Sequence, residues 1–153
     1  MKTLALITLM LLTACISAKE FPMLHSTVKL HSVSMNNQGP EIYDFRIQYG
    51  NTLLPFGNEG DPEFGAGGER VYSDVMPLPD VAIVEWRTAT GPAGRNVRFE
   101  VPLRSAVTNE ERTSRFFTVD FRFNFDKLEV FVGKSASDVR KHGRLIYSKK
   151  APE

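Results

Sequence analysis

A chain of 153 residues, 42% apolar and 24% charged, is long enough to bury one core but hardly two. Its 19 basic and 18 acidic residues almost cancel, which argues against nucleic acid as a partner and against general adhesion to anionic lipid. The single cysteine excludes an intramolecular disulfide and any cysteine-rich zinc site, so stability has to come from the apolar core alone.

The N-terminus carries one positive charge in Met1-Lys2-Thr3 and then runs through Leu4-Ala5-Leu6-Ile7-Thr8-Leu9-Met10-Leu11-Leu12. An apolar stretch of about 10 residues suits the core of a secretory signal and is too short to span a bilayer of about 30 Å. It ends in Leu12-Thr13-Ala14-Cys15. That tetrad resembles the lipobox of bacterial lipoproteins, in which the cysteine is diacylated on sulfur, becomes the new N-terminus and is acylated again on its amine. The resemblance implies a signal peptide over 1–14 and lipidation at Cys15, which also removes the only thiol as a nucleophile. A lipidated tether over 15–25 would then lead to one domain over 26–150. Two or three acyl chains hold a protein firmly, since each buried methylene contributes about 0.8 kcal/mol. Ile16 stands where inner-membrane lipoproteins commonly carry aspartate, so the resemblance implies the outer membrane, on its periplasmic face. The alternative is an ordinary signal peptide cut at Ala14 or Ala18 that leaves a free thiol.

Beyond the tether the apolar residues alternate with period two, the signature of half-buried strands. Strands are expected over 27–33, 43–49, 70–75, 81–87, 97–101, 117–125, 128–132 and 145–149. The clearest places Phe117, Val119, Phe121, Phe123 and Phe125 on one face and Thr118, Asp120, Arg122 and Asn124 on the other. A tight hairpin is expected over 125–127 and a second connection at Thr90-Gly91-Pro92-Ala93-Gly94, with an extended corner where Pro77 and Pro79 bracket Leu78. Residues 135–142 form the best helix candidate, capped by Ser137 and stopped by Gly143. The expected fold is all-β: an antiparallel β-sandwich, immunoglobulin-like or similar, of about eight short strands with at most one short helix. Trp86 is expected to fill the space between the sheets.

The least ordinary segment is residues 56–69, rich in glycine and acid. Glu59, Asp61 and Glu63 could in principle surround a calcium ion, but the EF-hand arrangement is absent, and Gly65-Ala66-Gly67-Gly68 lacks the lysine of a phosphate loop. The segment reads either as a mobile connection with no partner or as an exposed recognition loop, with Glu59, Asp61, Glu63 and Arg70 around Phe64 as the apolar anchor. His25, His31 and His142 have no zinc-binding spacing and are expected to face solvent. Glu85, Glu100, Asp120 and Glu129 each have a basic neighbour within two residues, so solvated charge pairing explains them more simply than glycosidase chemistry. The basic residues Arg140, Lys141, Arg144, Lys149 and Lys150 suit a protected sheet edge. No metal or cofactor is expected.

Met76-Pro77-Leu78-Pro79-Asp80, then Val84-Glu85-Trp86-Arg87 and Phe99-Glu100-Val101-Pro102-Leu103-Arg104-Ser105, resembles a core of small proteobacterial lipoproteins over residues 43–147. Some lipoproteins of this sort act as periplasmic immunity proteins against effectors of the type VI secretion system. The resemblance implies a non-enzymatic module, anchored to the membrane by lipid, that binds a protein partner such as a toxin. The alternative is a structural lipoprotein of an envelope or secretion assembly. A hydrolase ranks last.

Overall fold

The computed structural model describes residues 30–56 and 63–152. The expected signal peptide over 1–14, Cys15, His25, Glu59 and Asp61 lie outside these residues. Ten strands form two sheets: β1 (Leu30–Asn37), β2 (Ile42–Tyr49), β3 (Thr52–Leu53), β4 (Glu63–Phe64), β5 (Glu69–Val75), β6 (Ala82–Arg87), β7 (Asn96–Val101), β8 (Phe116–Asn124), β9 (Lys127–Gly133) and β10 (Arg144–Lys150). The first sheet has the order β10-β9-β8-β1-β5 and the second β3-β2-β6-β7, with β4 also on β2. The all-β sandwich is the architecture expected. One pairing differs: β1 and β8 run parallel, with Leu30 opposite Phe116 and Asn37 opposite Phe123. Alternation tells which face a residue takes and not which way its neighbour runs, so it left this pair unseen.

The sandwich closes on the inner faces of both sheets. Val33 and Met35 of β1, the odd-numbered positions Phe117 to Phe123 of β8, and Leu128, Val130 and Val132 of β9 meet Ile42, Phe45 and Ile47 of β2, Val84 and Trp86 of β6, and Val97, Phe99 and Val101 of β7. Phe123 stands at the centre. Its ring makes edge contacts with Phe45 at 4.9 Å, Trp86 at 5.1 Å and Phe64 at 6.1 Å between centroids. Trp86 fills the core as expected, and its indole Nε1 donates to the Phe125 carbonyl at 2.7 Å.

Among the described residues there are three short α-helices where at most one short helix is expected from sequence: α1 (Leu103–Ala106), α2 (Asn109–Thr113) and α3 (Ala136–His142). Ser135, not Ser137, caps α3, its hydroxyl accepting from the Asp138 amide at 3.1 Å. This helix lies across the outer face of the first sheet. A Cβ on Gly133 would come within 2.7 Å of Val139, so the missing side chain lets the helix sit close. The cover changes the character of the polar face of β8. Thr118 and Asp120 are buried rather than solvated, and Asp120 accepts from Ser34 Oγ at 2.6 Å and from Arg122 Nε at 2.7 Å. Arg122 in turn donates to the Val139 carbonyl at 3.0 Å.

His31 also departs from expectation. It shares the inward register of Val33 and Met35, is 5% exposed, and meets the edge of Phe117 at 5.5 Å. His142 is exposed, as expected. Tyr49 is 3% exposed, its hydroxyl has no hydrogen-bond partner among the described residues, and burial drives its pKa well above the usual phenol value. Tyr49→Phe is therefore expected to raise unfolding free energy by about 1 kcal/mol in urea titrations, because it removes an unsatisfied buried hydroxyl while keeping the ring. A loss of that size instead would mean that the hydroxyl has a partner in solution.

Candidate functional site

The two ends of the sandwich differ. At one end the chain enters β1 at Leu30, beside Val75 and Phe116, and the same end carries α1, α2 and the start of β10. At the other, about 23 Å along an eight-residue strand at 3.3 Å per residue, lie residues 38–41, 64–68, 88–95 and 124–126. Residues 64–68, within the described part of the glycine-rich segment singled out from sequence, thus belong to the end opposite the N-terminal entry.

Asn37 builds this far end. It is fully buried, and its side-chain Nδ2 donates to the carbonyls of Pro40 at 2.8 Å, Phe64 at 2.8 Å and Gly65 at 3.2 Å. Its Oδ1 accepts from the Gly39 amide at 3.0 Å. Its backbone N–H donates to the Gly68 carbonyl at 3.0 Å, and its carbonyl accepts from Gly67 at 2.7 Å. Residues 65–68 make a tight turn closed by Gly68 N–H on the Gly65 carbonyl at 3.0 Å, with Gly67 at φ 70°, where glycine avoids the steric cost of a side chain. Both amides are spent inside the protein, which agrees with the rejection of a phosphate loop.

Phe64 is not the surface anchor that was expected. It is 3% exposed and packs on Phe45 and Phe123, because its strand pairs Phe64 with Ile42 at the start of β2. Arg70 donates to the Phe56 carbonyl and lies over the Phe64 ring at 5.5 Å to its centroid. Phe56, itself 6% exposed, and Phe64 therefore fix both flanks of the intervening segment to the body. Glu63 is placed by backbone pairing opposite Tyr43.

The exposed aromatic at this end is Phe125. The sequence pattern assigned it to the core face, but it is 42% exposed at φ 57°, in the hairpin turn between β8 and β9. A bulky residue in the left-handed region is a steric outlier, and strain of this kind clusters at functional sites. Asp44, also exposed, stands at φ 50° in the irregular pairing of β2 with β6. These are the non-glycine residues of positive φ among those described, and both belong to the far end. Asp126 beside Phe125 accepts from Arg95 at 2.9 Å and lies 3.7 Å from Lys150, which braces the turn.

Family models, curated proteins and solved structures were compared with the chain, and none matches. The site has to be read from its own chemistry.

At the near end a groove of about 590 Å³ runs between α2, α3 and the start of β8, lined by Phe116, Phe117, Glu111, His142 and Arg144 among others. Three carboxylates line it, Glu110, Glu111 and Asp138, and two of them are committed to structure: Asp138 accepts from the Lys134 amide at 2.9 Å. Glu111 accepts from Arg144 Nε at 2.9 Å and Nη2 at 2.6 Å, and from the Thr108 amide at 2.8 Å. The Arg144 hydrogen bonds hold its pKa below the usual carboxylate range, the opposite of what a general acid needs. Glu85 and Glu100 both pair with Arg98, and Glu129 with Lys127, in the charge pairing expected from sequence. Among the described residues no group of three or more His, Cys, Asp or Glu could hold a metal ion, and no helix is long and apolar enough to cross a membrane.

Proposed function

We propose that this protein is a lipid-anchored periplasmic binding module, acylated at Cys15 and held on the outer membrane, that captures a protein partner through the end of the sandwich carrying Phe125, Asp44 and residues 64–68. The observation that carries the reading is the opposition of the two ends. A chain tethered through its N-terminus enters at Leu30 and turns the strained, exposed Phe125 away from the anchor. Confinement of binder and target to one thin compartment raises their effective concentration without further contacts. An antibacterial effector is the partner class that the lipoprotein resemblance favours.

The test has two arms. Cys15→Ser is expected to move the protein from the membrane fraction to the soluble fraction, and retention on the membrane would remove the anchor. Deleting the gene is expected to make cells sensitive to their siblings, with rescue by the wild-type gene and not by Phe125→Gly. That variant relieves the left-handed strain, so its melting temperature is expected to hold or rise while capture is lost. Loss of an envelope assembly without any sensitivity to siblings would replace the immunity reading with a structural one.

A further inference from the structure

The sheet edges are not equally guarded. Strand β10 ends one edge with Arg144, Lys149, Lys150 and a register break between Leu145 and Tyr147. In the second sheet β7 turns Arg98 and Glu100 outward and is followed by Pro102, while the β3 edge is two residues long. Charges, bulges, proline and brevity are the devices by which edges avoid adding another strand. Strand β5 has a seven-residue edge, paired without interruption to β1 from Leu30 opposite Val75 to Asn36 opposite Glu69. It contains no lysine, proline or bulge, and its three charges, Glu69, Arg70 and Asp74, are of both signs, so they repel a strand of one sign only. Val71 and Val75 are 50% and 56% exposed, and among the described residues no strand pairs with its second side.

The sequence of this edge is complementary to itself. Turned antiparallel about Tyr72, a second copy sets Arg70 opposite Asp74 twice, Val71 opposite Ser73 twice and Glu69 opposite Val75 twice. Opposite charges meet and no like charges do. Asp74 is exposed, and its carboxylate accepts from the Tyr72 hydroxyl at 2.9 Å and from the Val75 amide at 2.6 Å, bonds that a facing Arg70 has to share. The geometry points to a two-fold dimer in which β5 pairs with β5 of a second copy, joining two five-stranded sheets into one. A single added strand buries less than a standard interface, so the association is weak and shows at high protein concentration. It uses neither Cys15 nor Phe125, and stands or falls apart from the proposed function.

Disulfide trapping tests the register. In full-length chains carrying Cys15→Ser, Val71→Cys protein is mixed with Ser73→Cys protein and oxidised. Position 71 faces position 73 of the partner, whereas 71 to 71 and 73 to 73 are diagonal and about 7–8 Å apart. The mixture is expected to cross-link at least roughly tenfold more than either protein alone, since a disulfide tolerates little excess length. Asp74→Arg, which sets two arginines opposite each other, is expected to abolish the cross-link with unchanged circular dichroism. Equal cross-linking in all three samples, no cross-linking in the mixture, insensitivity to Asp74→Arg, or a monomer whose β5 accepts a strand from another protein would each overturn the dimer.

Discussion

Phe123→Ala is expected to cost about 3–5 kcal/mol of unfolding free energy, the range for removing a large buried aromatic. The ring is fully buried and joins the two sheets through Phe45, Trp86 and Phe64, so its loss opens a cavity that three other aromatics line and cannot all collapse into. Domains of this size hold only about 5–15 kcal/mol in total, and a variant near the lower bound would be largely unfolded at room temperature. Urea titration followed by tryptophan fluorescence reads the effect directly, because Trp86 is the sole tryptophan and touches Phe123. Phe125→Ala, two residues on, is expected to change stability by less than about 0.5 kcal/mol. Equal costs at the two positions would mean that Phe125 belongs to the core, as the alternation alone implied.

That contrast marks the limit of what periodicity reveals. Period two located the eight long strands and most of the residues that face inward along them, because burial on one face is a local, repeating constraint; β1, expected to end at Val33, runs on to Asn37 and takes Met35 and Asn37 into the interior. It failed where a long-range contact decided the outcome. Phe125 continues the pattern in sequence but falls in a turn, and Phe64 looks like a loop residue until Ile42 pairs with it. The polar face of β8 reads as solvent-exposed because nothing in the strand announces that α3 will lie on it. Asn37, the hub of the far end, carries no local signal beyond a turn-forming residue before Gln38-Gly39-Pro40. One missed feature was legible: Thr108-x-x-Glu111 spells a capping box, and α2 makes both of its hydrogen bonds. Its brevity hid it, since a five-residue helix has no period to detect.

The candidate site follows the same rule. The glycine and acid content drew attention to a segment of which residues 64–68, within its described part, lie at the far end, yet Phe64, read there as the anchor, is a core residue. The reason is physical. Apolar side chains that interrupt a polar segment are either surface contacts or plugs, and only the pairing of β4 with β2 makes Phe64 a plug. With Phe56 and Phe64 both buried, the two flanks of the segment are fixed, and the strained, exposed residues described at this end are Phe125, in the turn between β8 and β9, and Asp44, on β2.

The second large effect concerns the layer beneath α3. Asp120 is 3% exposed and compensates Arg122, whose side chain is 16% exposed, while Arg122 lies 3.9 Å from the centroid of the Phe131 ring and reaches the Val139 carbonyl. Asp120→Ala removes the carboxylate and leaves the guanidinium and Ser34 Oγ without their main acceptor. Breaking a buried ion pair from one side costs about 3–5 kcal/mol, because the remaining charge keeps its desolvation penalty and loses its compensation. Replacing both partners with apolar residues of similar volume, as in Asp120→Leu with Arg122→Met, is expected to recover at least half of that loss, since the penalty then disappears on both sides. Hydrogen exchange separates this from simple core damage. In Asp120→Ala the amides of α3 are expected to lose protection before those of β6 and β7, because the helix rests on Arg122 while the second sheet does not. Uniform loss of protection across both sheets would place the role of Asp120 in the global fold and not in the docking of the helix.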